Sequence, residues 1–231
     1  MTSIKTMSIG HCFRESLSGS GLPASTLRKL LDASYGGDPP DGWRKDKELS
    51  TNQNKVFVGP GGQAVVAHRG TTGTAQDWAN NAAYGLGGEL PYKMTGRYRK
   101  AARVQAAAEA KYGKVITIGH SQGGLLAQQL GRDEVITLNK ATRPSDLFRS
   151  PRKNQTDVRS TGDVVSSMGN PTQRTVRIRA RTSDPLSDHG TGCWMPSVSQ
   201  PLVFRAIVLF FVCFLKTDKT RQHGFHTRRQ A

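Results

Sequence analysis

Cysteine is scarce. Cys12, Cys193 and Cys213 are the three present in 231 residues. They are odd in number, far apart and without a C-x-x-C pair, so neither a thiolate metal site nor a dithiol redox couple is expected. No cofactor or metal is implied. Acidic side chains are also few, 17 against 33 Lys and Arg, which leaves a formal net charge of +16 spread over many segments. A field of that sign attracts polyanions, and charge alone does not separate an anionic lipid surface from nucleic acid or from a soluble protein that is merely basic. Long hydrophobic runs are missing as well. The strongest, Ala206 to Leu215, is bracketed by Arg205 and Lys216 and falls short of the roughly 20 residues that a bilayer-spanning helix needs. It reads first as a buried strand or helix, second as an interfacial anchor aided by the basic stretch Lys216 to Arg229, and third as a terminal segment with no folded role. Residues 1–20 are polar and Gly-rich and lack the pattern of a cleaved signal. The expected location is cytoplasmic or peripheral on a membrane.

The length suits one α/β domain over residues 1–200, with residues 1–20 outside its ordered part and an apolar then basic tail over 201–231. No internal repeat is evident. A helix is expected over Leu27 to Ser34, capped by Ser25 or Thr26 and closed by Gly36-Gly37. Lys55 to Val58 and Gln63 to Ala67 read as strands of a hairpin around Gly59-Pro60-Gly61-Gly62. Thr95 or Gly96 to Lys111 predicts a helix with Tyr98, Ala102, Val104 and Ala108 on its buried stripe. Further strands are expected at Glu134 to Leu138, Asp157 to Ser160 and Thr175 to Arg179. Helices alternating with parallel-type strands predict a right-handed crossover α/β fold: a mostly parallel central sheet, helices on both faces, and an early antiparallel hairpin.

The most informative stretch is Val115-Ile116-Thr117-Ile118-Gly119-His120-Ser121-Gln122-Gly123-Gly124. A β-branched run ends in Gly-x-Ser-x-Gly and enters a segment with Leu125, Leu126 and Leu130 at helical spacing before Gly131. In such a strand-turn-helix elbow the serine sits on a tight, strained turn, and small residues two before and two after it avoid backbone clashes. Gly119 and Gly123 meet that need, while Gly124 lets the helix pack close to the sheet. The turn exposes the Ser121 hydroxyl and leaves the Gln122 amide facing a developing oxyanion. The plain alternative is a strand-turn-helix connection with no chemistry.

A second run, Val65-Val66-Ala67-His68-Arg69-Gly70-Thr71, continues to Asp77-Trp78. Arg69-Gly70-Thr71 and Asp77-Trp78, in that order upstream of Gly119-His120-Ser121-Gln122-Gly123, resemble the class 3, fungal-type triacylglycerol lipase family of the α/β-hydrolase fold. The resemblance implies that Thr71 is the second oxyanion-hole residue beside Gln122, through its amide and its hydroxyl. Asp77 and Trp78 are expected to hold a loop and cap a helix, and His68, where the family usually has an aromatic residue, to be structural. Without the resemblance, Arg69-Gly70-Thr71 is a polar strand exit with a glycine turn.

A serine nucleophile needs a base and an orienting acid, in the chain order Ser, Asp, His for this fold. Asp163, after Val158 to Gly162, resembles the family's strand followed by Gly-Asp and two apolar residues. Asp157 and Asp146 are its rivals. Of the histidines after Asp163, His189 lies in a segment resembling the family's Leu-x-x-His loop, while His223 and His226 lie in a basic tail. The 26 residues from Asp163 to His189 are compact for the family. The family also carries a lid between oxyanion strand and elbow. Here Asn81 to Met94 holds Gly85, Gly87, Gly88 and Pro91, which favours a Gly-rich loop over a lid helix. The expected activity is hydrolysis of a carboxylic ester, in a lipid or a smaller molecule, through an acyl-enzyme. A non-catalytic basic module of the same fold, binding an anionic membrane or nucleic acid, is the alternative. A peptidase or acyltransferase would share the same residues.

Overall fold

The computed structural model describes residues 5–7 (main chain), 21–71, 95–142, 150, 152–163, 165–166, 175–178, 180 and 188–191. The cysteines, Asp77, Trp78, the segment 81–94, Asp146, the apolar run 206–215, His223 and His226 lie outside the described residues. The described residues all belong to one compact unit, Met1–Ser197.

Alternation of apolar side chains builds both faces of the sheet at once. The hairpin strands β3 (Asn54–Val58) and β4 (Ala64–His68) pair antiparallel with Val56 opposite Val66 and Phe57 opposite Val65. Phe57, Val65 and Ala67 point to one face and pack with Leu27, Leu30 and Leu31 of α1 (Ala24–Ser34). Val56, Ala64 and Val66 point to the other and pack with Val104 and Ala108 of α2 (Gly96–Tyr112). A period of two in the strands and leucines at i, i+3 and i+4 in α1 are therefore enough to sandwich the sheet. The turn between β3 and β4 is the short 3-10 segment Pro60–Gly62, where Gly61 takes a φ of 79°.

Among the described residues the sheet has eight strands, in the order β1-β8-β7-β6-β5-β4-β3-β2. From β4 onward through β5 (Val115–His120), β6 (Glu134–Leu138), β7 (Gln155–Ser160) and β8 (Thr175–Ile178) every pairing is parallel. At the edges, β2 (Arg44–Lys45) adds antiparallel to β3, and β1 (Lys5–Met7) adds parallel to β8. The short stretch around Lys5 gives no local sign of that strand. This is the expected α/β-hydrolase-like architecture, with helices on both faces and an antiparallel pair early in the chain.

The helices differ from expectation at their ends. α1 begins at Ala24 with Pro23 as its N-cap and no side-chain cap, so neither Ser25 nor Thr26 caps it. Proline supplies the fixed φ of −60° that suits the helix entry. α2 is capped by Thr95, whose hydroxyl accepts the Tyr98 amide at 3.2 Å. Its buried stripe is Arg97, Ala101, Val104, Gln105 and Ala108, while Tyr98 and Ala102 are half-buried. The register is shifted because two polar side chains, Arg97 and Gln105, find buried partners.

One buried charge cluster ties β6 to β7. Asp157 is fully buried and accepts from Thr137 Oγ1 at 2.7 Å, Gln155 Nε2 at 2.6 Å, and Lys140 Nζ and Arg159 Nη2 at 3.1 Å each. Burial by itself would raise its carboxyl, yet the Lys140 and Arg159 cations and these hydrogen bonds bring it below its ordinary value. Removing that carboxylate takes the anion away from two buried cations. Asp157→Ala is expected to lower the unfolding free energy by about 3–5 kcal/mol, measured as the shift in urea midpoint at neutral pH. A loss under about 1 kcal/mol, the range of an exposed ion pair, would show the cluster to be solvent-screened.

Candidate active site

Parallel pairing brings the carboxyl ends of β4 to β7 to one edge, where open α/β sheets place their ligand crevice. His68 is in register with Gly119, and His120 with Leu138. β5 then breaks sharply at Ser121, whose φ of 54° and ψ of −124° are rare for a side-chain-bearing residue. α3 (Gln122–Leu130) starts at the next residue. A Cβ on Gly119 would run into the carbonyl of Gly123, and one on Gly123 into the carbonyl of His68. Both glycines are thus required by the close crossing of β4, β5 and α3. A Cβ on Gly124 would sit 3.0 Å from Lys140 Cβ, so that glycine also permits tight packing.

Ser121, His189 and Asp163 come together in one line. The Ser121 hydroxyl is 2.8 Å from His189 Nε2, and His189 Nδ1 is 2.9 Å from Asp163 Oδ1. An ionised carboxylate only accepts, so Nδ1 carries the hydrogen and Nε2 is left to accept from the serine. Asp163 itself takes the amides of Val165 at 3.0 Å and Ser166 at 3.1 Å. Its burial pushes the carboxyl up, but the bond and charge of His189, and then the bonds from Ser166 and Val165, hold it below the usual value. It is an anion at neutral pH. Asp157, the rival on β7, is committed to Lys140 and Arg159.

Thr71 and Gln122 also meet: the Thr71 hydroxyl donates to Gln122 Oε1 at 3.3 Å. The Gln122 amide is at the first position of α3, where no intrahelical acceptor exists. The Gly70 next to Thr71 is also sterically required, since a Cβ there would lie 2.6 Å from the Tyr35 hydroxyl and 3.0 Å from Ser121 Cβ. His68 is buried, with Nδ1 2.7 Å from Asn54 Oδ1, a contact inside the hairpin.

Several residues of this edge were not legible as site residues. Arg97, at the start of α2, donates to the Arg69 carbonyl at 2.5 Å and pins the exit of β4. Tyr35, His120 and Asn139 bond to Gly70, His189 and Asp188. The one sequence signal among them is Asn139 directly after a strand, since asparagine tolerates the left-handed region and Asn139 has a φ of 44°. Among the described residues, no group of three or more His, Cys, Asp or Glu is placed to hold a metal ion, and no helix is long and apolar enough to cross a membrane.

Residues 29–143 match the model of the Phospholipase-like family, described as a Tle-like phospholipase domain. The matched span contains Thr71, Ser121 and Gln122 and stops before Asp163 and His189. The likeness is to lipase and phospholipase-like hydrolases, and it does not single out the class 3 fungal-type lipases. A search of curated proteins finds no match.

Two buried histidines give the site a pH signature. Burial pushes His68 from 6.5 to about 4 and His120 from 6.5 to about 3. Below 6.5 the unfolded chain protonates these rings while the folded chain does not, so stability falls as pH falls. Asp163 and Asp157, both held below 3.8, lose their contribution only under that value, so of these four groups the rings act first as the pH falls from 6.5. The unfolding free energy should drop below pH 6.5 with a slope of up to about 1.4 kcal/mol per pH unit for each ring. Urea titrations at several pH values check this, and a flat profile would mean that the rings charge in the folded state.

Proposed function

We propose that this protein is a serine-dependent hydrolase of carboxylic esters in lipids. The observation that carries the reading is the line from the Ser121 hydroxyl to His189 Nε2 at 2.8 Å and from His189 Nδ1 to Asp163 at 2.9 Å, on an elbow strained at Ser121. The similarity of residues 29–143 to a phospholipase domain supports a phospholipid substrate, and the charge of +16 supports approach to an anionic membrane surface.

Ser121 Oγ attacks the acyl carbon while His189 Nε2 takes the hydroxyl proton, and Asp163 holds the ring in the required tautomer. The carbonyl oxygen becomes an oxyanion facing the main-chain amides of Thr71 and Gln122. Collapse breaks the ester C–O bond, and His189 passes the proton to the leaving alcohol. Water then attacks the acyl-serine, giving its proton to His189. The acid departs and the proton returns to Ser121.

A fluorophosphonate probe with intact-mass readout tests the nucleophile: one adduct on the wild type and none on Ser121→Ala is expected. Release of fatty acid from phosphatidylglycerol vesicles should fall by roughly 10⁴-fold or more in Ser121→Ala and His189→Ala and by about 10³- to 10⁴-fold in Asp163→Asn. Turnover that survives Ser121→Ala would sink the reading. Equal rates on anionic and zwitterionic vesicles would remove the role given to charge while leaving the nucleophile in place.

A further inference from the structure

The proposed mechanism uses His189 and leaves unexplained a second imidazole beside it. His120 is buried, its ring centroid is 5.2 Å from that of His189, and both of its nitrogens are committed to other segments of the chain. Nε2 is 2.7 Å from the His189 carbonyl oxygen, 69 residues away in sequence. Nδ1 is 2.7 Å from the Tyr35 hydroxyl, 85 residues away in the other direction. A carbonyl only accepts, so Nε2–H donates to it and Nδ1 accepts from the Tyr35 O–H. The Tyr35 oxygen in turn accepts the Gly70 amide at 2.5 Å. A directed chain therefore runs from Gly70, the neighbour of Thr71, through Tyr35 and His120 to the main chain of His189.

We propose that Tyr35 and His120 are positioning residues of the reaction, forming a strut that sets the base-bearing segment at His189 and the oxyanion strand at Gly70 at a fixed separation around Ser121. The inference rests on the Ser121–His189–Asp163 reading above. Asn139 completes it from the sheet side: Nδ2 donates to the same His189 carbonyl at 3.0 Å and to the Asp188 carbonyl at 2.7 Å, while Oδ1 accepts the Ser160 amide at 2.8 Å. The His189 imidazole is thus fixed by Asp163 through its ring and by His120 and Asn139 through its main chain. An apolar residue at position 120 would fill the space without the cost of burying a polar ring, but it would take from the His189 carbonyl one of its two donors and from the Tyr35 O–H the acceptor that orients it. The neutral ring supplies one donor and one acceptor, which is what the two segments on either side of it require.

The test uses the full chain and compares wild type, Tyr35→Phe, His120→Leu and His120→Gln. kcat and KM are measured on p-nitrophenyl butyrate, with the rate of Ser121 phosphonylation by a fluorophosphonate, well below each variant's Tm. Tyr35→Phe and His120→Leu should lower kcat and the phosphonylation rate by about 10- to 100-fold, the cost of an ångström-scale misplacement, with KM changed by less than about 2-fold. His120→Gln, whose amide nitrogen falls near the place of Nε2, should restore most of the rate. A purely structural role would lower Tm but leave kcat of the folded fraction unchanged, and would show no rescue by glutamine; either result overturns the proposal. Should His120→Leu fail to fold, Tyr35→Phe, which loses a single oxygen, decides the matter alone. A wild type that is neither labelled nor active defeats the serine reading itself, whereas an active wild type with unaffected variants defeats only the strut.

Discussion

The crossing of three backbones at Ser121 is the constraint on which this structure turns. β5 must end, reverse and become α3 within a residue or two, beside the exit of β4, and Ser121 accepts a φ of 54° to allow it. Such a conformation costs on the order of 1–3 kcal/mol and persists only where its surroundings over-determine it. Here the surroundings are the two missing Cβ atoms at Gly119 and Gly123, the bond from the Ser121 amide to the Leu138 carbonyl at 3.1 Å, and those from the amides of Gly124 and Ala141 to the Ser121 carbonyl at 3.0 Å each. The serine is held from β6 as well as from its own helix. Its hydroxyl is consequently displayed at the sheet edge and does not turn into the core.

Two buried carboxylates near this edge show how environment divides their roles. Asp157 meets Lys140 and Arg159, so its charge is cancelled locally and serves to join β6 to β7. Asp163 meets an imidazole and two main-chain amides, so its charge stays available to orient the His189 ring. The two lie six positions apart in sequence, and their chemistry differs because strand register sends one into the sheet face and a turn sends the other to the edge. A similar division separates the histidines. His68 satisfies Asn54 inside the hairpin, whereas His120 spans from α1 to the segment of His189.

Much of the fold was legible because its signals are short-range. The hairpin of β3 and β4 announces itself by alternation around a Gly-Pro-Gly-Gly turn, and α2 by alanine content with a threonine at its start. The first helix showed its leucine stripe but not its start, since a proline entry competes with nearby serine and threonine caps. β1 was not legible at all: the three residues Lys5-Thr6-Met7 carry no alternation long enough to mark a strand, and they become one by pairing with the edge that β8 leaves. Of the candidate site, chain order and motif spacing pointed to Ser121 with its glycines, Thr71 and Gln122, and to Asp163 and His189 over their rivals, residues that the structure brings to one edge. Tyr35 and Asn139 carry no such spacing, and their roles arise from contacts across 35 residues to Gly70 and 49 to Asp188.

The sequence by itself determined the local geometry of this protein: strand, strained turn and helix at Ser121, and the alternation that gives the sheet two apolar faces. Those follow from steric rules and periodicities that act over a few residues. Tertiary structure alone decided which carboxylate stands against which imidazole, and which ring of the neighbouring pair lies against the serine. The reason is physical: hydrogen bonds and buried charges are satisfied between strands brought together by parallel crossovers, and the register of those crossovers is written in no single stretch of chain.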